Sequence, residues 1–428
     1  MILESIVKKG LQYADDVEVY YSKSSVRSVA GRRGRFKADF IVDQGVGIRV
    51  QVDGKIGFAF TTDSNYTDCI RKAVSIARCK KESVKLEFPC ENMPVVDGLY
   101  WKETAFLPLE DSIAYLDNLL CIDDQNISQV EGSLEIREME RAVLNSSGLD
   151  VFEKSTFADI SITVRGPCLV SEDICSHSFQ ELNADSLLED LVERAKDVPE
   201  KKVRGKIDTI ILSPGVGSLL LSTLLCPALC ADNMLQAQSF LKGYKGEMIA
   251  SEKLTIRDDA TIAEGLVSRS FDAEGSPSRC ISIAEKGRLI GFLHNLTTAK
   301  LMGIESTGNA FRDYRNEPIV FPSNVIIKHE NEVSLEDLIG QTDKGIMARG
   351  VIGAYSSDYI TGDFSVTLDE CSLVKHGTVR RIKNVSIGGN ALNLLRSIEC
   401  VSIEEIQSGH FIIPYMKISN PKINIVSC

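Results

Sequence analysis

Histidine is scarce in this chain of 428 residues: there are five, His177, His294, His329, His376 and His410, and no two lie close together. A structural zinc site takes four Cys or His ligands and a catalytic site usually three, commonly with two at short spacing on one element. No H-E-x-x-H, H-x-H or C-x-x-C occurs, which excludes a self-contained zinc motif of those types. A G-x-S-x-G nucleophile elbow is also missing, so no serine hydrolase of that design is encoded. Positive charge is in short supply, with Lys+Arg 48 against Asp+Glu 60 and a formal charge of -12. That balance argues against a dedicated nucleic-acid binder, which needs clustered Lys and Arg on phosphates. No hydrophobic run is long enough for a membrane span. Thr209 to Ala231 is uncharged, but Ser213-Pro214-Gly215 interrupts it, and the 16 residues of VGSLLLSTLLCPALCA fall short of the ~20 needed. A buried core helix is the reading.

Hydrophobic residues make up 43% and charged residues 25%, the balance of a globular chain with ample core and, at this length, two or three domains. The twelve cysteines are scattered, and MILESIVKKG reads as a short amphipathic helix with no signal-peptide core. Reduced thiols in a cytoplasmic protein follow from this.

Periodicity gives an α+β fold: an N-terminal α+β domain of helices and antiparallel strands, followed by a β-rich C-terminal domain with an apolar helix near its start. Residues 1–14 have helical spacing. VEVYYSKSSVRSVA, RFKADFIVD, GVGIRVQV and IGFAFTTD then alternate as antiparallel strands, with Asp53-Gly54 as the tight turn of the last hairpin. Gly45 and Gly47 open no helix, so they mark a bulge or a close backbone approach and not a phosphate loop. Helices are read at 67–82, 109–122 and 184–198, with a strand meander at 129–167. The segment KKVRGK divides the chain into domains 1–204, with a sub-boundary near 90–107, and 205–428. The second half opens with a strand at 208–213, the apolar helix at 216–231 and a more polar helix near 232–241.

The constellations are sparse. Cys226 and Cys230 share a helical face with Leu219 and Leu220, which makes them core thiols, and Pro227 lies between them. Asp258, Asp259, Asp272 and Glu274 fall in the segments IRDDA and FDAEGSP. They could form an acid/base pair or a cation site, and a metal-independent hydrolase using Asp258, Asp272 or Glu274 is one open function. Solvated turn residues are the commoner outcome for such segments. The run Arg32-Arg33-Gly34-Arg35-Phe36-Lys37 reads as a solvated hairpin face that guards a sheet edge.

Several phrases in order resemble the TldD/PmbA family: ADDVEVYYSKSSVRSV and GVGIRVQVDGKIGFAFTTD, then GYKGEMIASEKLTIRDD, FDAEGSPSR, EKGRLIGFLHN, STGNA, TGDFS and IGGN. The resemblance covers essentially the whole chain. It implies one of two kinds of subunit. The TldD kind carries an H-E-x-x-x-H helix and a Cys near its C-terminus that bind the zinc of a metalloprotease. The PmbA or TldE kind lacks these ligands and pairs with TldD. The family's older label, modulator of DNA gyrase, denotes an indirect genetic connection. Counting back from SFLKGYKGEMIAS, Ser222 and Pro227 stand where the two histidines belong and Thr223 where the catalytic Glu belongs. IGGNALNLL has no Cys at the ligand position, and Cys400 lies ten residues after Asn390.

The resemblance therefore implies a TldE/PmbA-like, non-catalytic pseudoenzyme subunit of a peptidase acting on peptides or unfolded small proteins. It implies no catalytic residue, metal or cofactor in this chain, and zinc in a TldD-type partner. No direct nucleic-acid partner and no membrane are expected, and a homodimer is one open state of the isolated chain. Asp272, Glu274 and Asn309, in the FDAEG and STGNA turns, are the candidates for shaping a peptide cleft. A stand-alone homodimeric peptide-binding protein is a further alternative.

Overall fold

The fold is given by a computed structural model describing residues 2–81, 83–197, 207–382, 385–419 and 424–427. The expected domain boundary at 204/205 and the KKVRGK segment lie outside the described residues.

The N-terminal half is built on a six-stranded antiparallel sheet. Helix α1 (Ile2–Gly10) ends where Gly10 meets the next strand, since a Cβ there would lie 2.8 Å from Val17. It is thus shorter than the periodicity at 1–14 suggests. Strands β1 (Asp16–Arg32) and β2 (Arg35–Val52) pair without a break from Asp16↔Gln51 to Arg32↔Arg35. The two expected strands RFKADFIVD and GVGIRVQV are therefore one. Gly45 and Gly47 make no bulge; they admit a neighbour, because a Cβ on Gly45 would stand 2.3 Å from the Tyr314 ring and one on Gly47 2.7 Å from the Tyr314 carbonyl. Asp53 and Gly54 both take positive φ, 51° and 72°, as a two-residue hairpin into β3 (Lys55–Thr61) requires.

Helix α2 (Tyr66–Cys79), the single turn α3 (Lys102–Ala105) and helix α4 (Leu109–Leu119) precede β4 (Gln129–Asn145) and β5 (Asp150–Arg165). A further strand, β6 (Leu169–Ser176), extends the meander beyond the expected end at 167, and α5 (Ala184–Lys196) closes the half. The sheet order is β3-β2-β1-β4-β5-β6. Two apolar cores lie under its helices. Val17, Val19, Ile48 and Val50 belong to the first, with α1 and α2, and Leu134, Ile136, Ile160 and Ile162 to the second, with α4 and α5. Side chains alternate across a strand, so Glu18 and Tyr20 emerge on the opposite face. The second half of the chain docks there.

That half is a sheet of thirteen strands among the described residues. Its strand β7 (Thr209–Leu212) runs parallel to 344–352 and antiparallel to 411–419. The apolar helix α6 (Pro214–Leu229) follows, capped by Ser213, whose hydroxyl accepts from the Val216 N–H at 3.4 Å. Next come the short α7 (Ala231–Leu235), ending six residues before the expected limit, and strands β8 (Leu254–Asp259) and β9 (Cys280–Glu285). No helix among the described residues is long and apolar enough to cross a membrane.

Candidate functional site

Helix α6 carries the three positions that the resemblance assigns to a metal helix. Eleven of its sixteen residues are buried, with Leu220, Leu224, Leu225 and Leu229 in the core. The other five, Gly215, Leu219, Ser222, Thr223 and Pro227, recur at steps of three to four and form its one partly exposed strip. Ser222, Thr223 and Pro227 are thus together on the face that could meet solvent or substrate. Their chemistry is poor for a metal. The Thr223 hydroxyl donates to the carbonyls of Leu219 (3.2 Å) and Leu220 (2.9 Å), and proline has no donor atom to offer. Cys226 and Cys230 point the other way. Both are buried, burial pushes both thiols far up, and Cys230 Sγ donates to the Cys226 carbonyl at 3.1 Å.

The other nitrogen and sulfur donors lie elsewhere in the fold. Both ring nitrogens of His177 face carbonyls, Thr156 O at 2.6 Å and Gly265 O at 3.0 Å. His294, His329 and His410 are each held in separate hydrogen-bonded places, and burial favours their neutral forms. His376 is exposed, 3.8 Å from Asp343. Cys400 is buried within the C-terminal sheet among Ile211, Met347 and Val374. Among the described residues no three His, Cys, Asp or Glu are grouped so as to hold a metal. By their chemistry Ser222, Thr223 and Pro227 do not fit a zinc centre.

Asp272, Glu274 and Asn309 are brought together in a second place, the seam between the two halves, and all three are fully buried. The Asp272 carboxylate accepts from the N–H groups of Glu274 (2.8 Å), Ser276 (2.9 Å) and Ala310 (3.0 Å), which ties the 271–277 turn to the strand at 310. Burial first, and then the Glu274 charge, raise its carboxyl to about 6. Glu274 accepts from Arg49 (2.5 Å) and from the Leu296 N–H (2.7 Å). Asn309 donates to Asp258 at 2.6 Å, and Asp258 also accepts from the N–H (2.6 Å) and hydroxyl (2.9 Å) of Ser323. Burial raises the Asp258 carboxyl despite those bonds.

The expectation of solvated turn carboxylates is corrected at Asp258, Asp272 and Glu274. Each sits in the interior because it is satisfied there, as buried polar groups require: Asp272 by amides of its own turn and of Ala310, Asp258 by Asn309 and Ser323, and Glu274 by Arg49 and the Leu296 N–H. These carboxylates face protein on every side, so the acid/base reading has no open surface to act on.

Residues that the sequence reading passed over complete the seam. Arg49 bridges Glu274 and Glu18 (2.5 Å each), and Glu18 is also bound by Arg312. Two carboxylates and two guanidiniums thus form one neutral buried cluster. Nearby, Tyr314 over Gly45 donates to Asp43 at 2.8 Å, and Arg315 to the same carboxylate at 2.6 Å. The one signal in sequence is a charge set between apolar neighbours, Glu18 in VEV and Arg49 in IRV. That alternation puts a charge on the strand face opposite the core, and says nothing of its partner.

Comparison with known proteins gives one family throughout. Three family models match: PmbA/TldA metallopeptidase domain 1 over residues 17–77, its central domain over 103–198 and its C-terminal domain over 204–424. An uncharacterized protein of Methanocaldococcus jannaschii is 31% identical, covering 99% of this chain and 100% of its own. A metalloprotease TldD homolog of Buchnera aphidicola is 25% identical over 93% of this chain and 87% of its own. The crystal structure of TldE from Thermococcus kodakarensis superposes with a TM-score of 0.87 at 26% identity, covering 99% of this chain and 100% of that one.

Proposed function

We propose, from the premise that this chain belongs to the PmbA/TldD metallopeptidase family, that it is the TldE-type, non-catalytic subunit of a two-subunit metallopeptidase acting on peptides or unfolded small proteins. One observation carries the reading. The partly exposed strip of α6 holds Ser222, Thr223 and Pro227, the positions that the resemblance assigns to the two imidazoles and the carboxylate of a metal helix. Zinc hydrolysis needs a metal to supply hydroxide near neutral pH and a carboxylate to move the proton. A serine, a hydrogen-bonded threonine and a proline supply neither.

On this reading the zinc belongs to a TldD-type partner, and this chain contributes the wall of a shared chamber in the cytoplasm. The buried seam from Asp258 to Arg312 acts at a distance, by fixing how the sheet of β1 to β6 stands against the C-terminal sheet. Asp272, Glu274 and Asn309 then shape the cleft from behind its surface. Co-purification from native lysate tests the assignment, with metal analysis of the product. A second family subunit should accompany the chain and bring the zinc. Recovery of the chain alone, or as a homodimer, would favour the stand-alone binding protein instead.

A further inference from the structure

The helices over the second N-terminal core leave a groove between them. It has a volume of about 590 Å³, with Leu119, Leu188 and Val192 nearly buried at its base, the half-exposed Tyr115 and Ile122 as its apolar lining and a wall at Cys121. Along one rim, α5 sets Asp185, Glu189 and Glu193 at successive steps of four, so the three carboxylates point the same way over about 12 Å. Lys196 binds Glu193 at one end (2.8 Å), and Arg194 is turned away to Asp190, Glu172 and Glu370. Asp185 and Glu189 have no basic partner among the described residues. The imbalance extends to the surroundings. Residues 109–125 and 183–197 carry ten carboxylates and two basic side chains, a net -8 within a chain of -12. Such concentration of one sign beside the half-exposed Tyr115 and Ile122 sets up a strong local field for a cationic partner.

We propose that this groove is a docking site for a basic amphipathic helix of a partner protein. Two turns of such a helix match the rim in length. Its apolar residues at three- and four-residue spacing would pack on the half-exposed Tyr115 and Ile122, as helix-in-groove recognition does. Its Lys or Arg residues would face Asp185 and Glu189. The groove lies on the helix side of the six-stranded sheet, away from both α6 and the seam. The proposal is therefore independent of the subunit role argued above.

The test uses the full chain and a fluorescent 14-residue peptide with Leu at helical spacing and Lys elsewhere. Two controls are a scramble of the same composition and a version with Glu for Lys. Anisotropy should show binding of the helical basic peptide only. Raising salt from about 0.1 M to about 1 M should weaken it, as the screening length falls from about 10 Å to about 3 Å. Asp185→Lys with Glu189→Lys, both on exposed positions, should weaken it about tenfold. Bound peptide should also protect the exposed Cys121 from alkylation, read by mass spectrometry, while the exposed Cys79 and Cys90 remain reactive. Equal binding of the scramble, indifference to the charge reversals or an unprotected Cys121 would each overturn the proposal.

Discussion

Arg49→Met is the sharpest perturbation of the seam. The guanidinium is almost wholly buried, holds Glu18 and Glu274 at 2.5 Å each and lies 5.3 Å from the Phe88 ring. Methionine keeps most of the volume and the contact with Phe88 but removes the charge. Glu18 retains Arg312, whereas Glu274 keeps only the Leu296 N–H, and the cluster passes from neutral to a net negative charge. Breaking one partner out of a buried ion cluster costs about 3–5 kcal/mol, because a desolvated charge is left uncompensated. The assay is urea unfolding followed by far-UV circular dichroism and by the fluorescence of Trp101, the one tryptophan. Adding Glu274→Gln restores neutrality, since the amide oxygen can still accept from Leu296. The double variant should therefore be more stable than Arg49→Met, with a coupling of at least about 1 kcal/mol. A single-variant loss under about 1 kcal/mol, or a double variant equal to the sum of its parts, would refute the reasoning.

Three further outcomes follow from the same contacts. Asp272 has its folded carboxyl raised to about 6 from the ordinary 3.8, so its protonated form is the one the fold favours. The stability it contributes is present near pH 4 and is lost as pH rises through about 6; the slope of stability against pH over that range should flatten in Asp272→Asn, and parallel curves would contradict it. Gly45→Val should displace the Tyr314 ring and its bond to Asp43, lowering stability by about 1–3 kcal/mol in thermal or urea unfolding. Thiol titration of the native protein should find Cys79, Cys90 and Cys121 rapidly and Cys226 and Cys230 only after denaturation, because the last two are buried with their thiols pushed up.

Much of the fold was legible where side chains repeat with a regular period. The alternation in VEVYY and GIRVQV placed β1 and β2, and the uncharged run after Ser213-Pro214 gave α6 to within two residues at each end. Gly45 and Gly47 were legible as a bulge or a close approach; the close approach is what the structure has, made by Tyr314, whose identity local sequence could not supply. The carboxylates misled the reading. Asp, Gly and Pro in FDAEGSP have the composition of an exposed turn, and what buries Glu274 is Arg49, 225 residues away. Local patterning reports on neighbours in the chain, and the seam is made of partners distant in it. The acidic groove went unread because its rim and floor come from helices some 70 residues apart, and α5 alone looks like an ordinary solvated amphipath.

Peptide hydrolysis by the purified chain, with and without a TldD-type subunit and with and without a chelator, tests the proposed role most directly. The account predicts no hydrolysis and no stoichiometric zinc for the chain alone, and chelator-sensitive cleavage once the metal-bearing subunit is added. Chelator-sensitive cleavage by this chain alone, with zinc bound one to one, would contradict it.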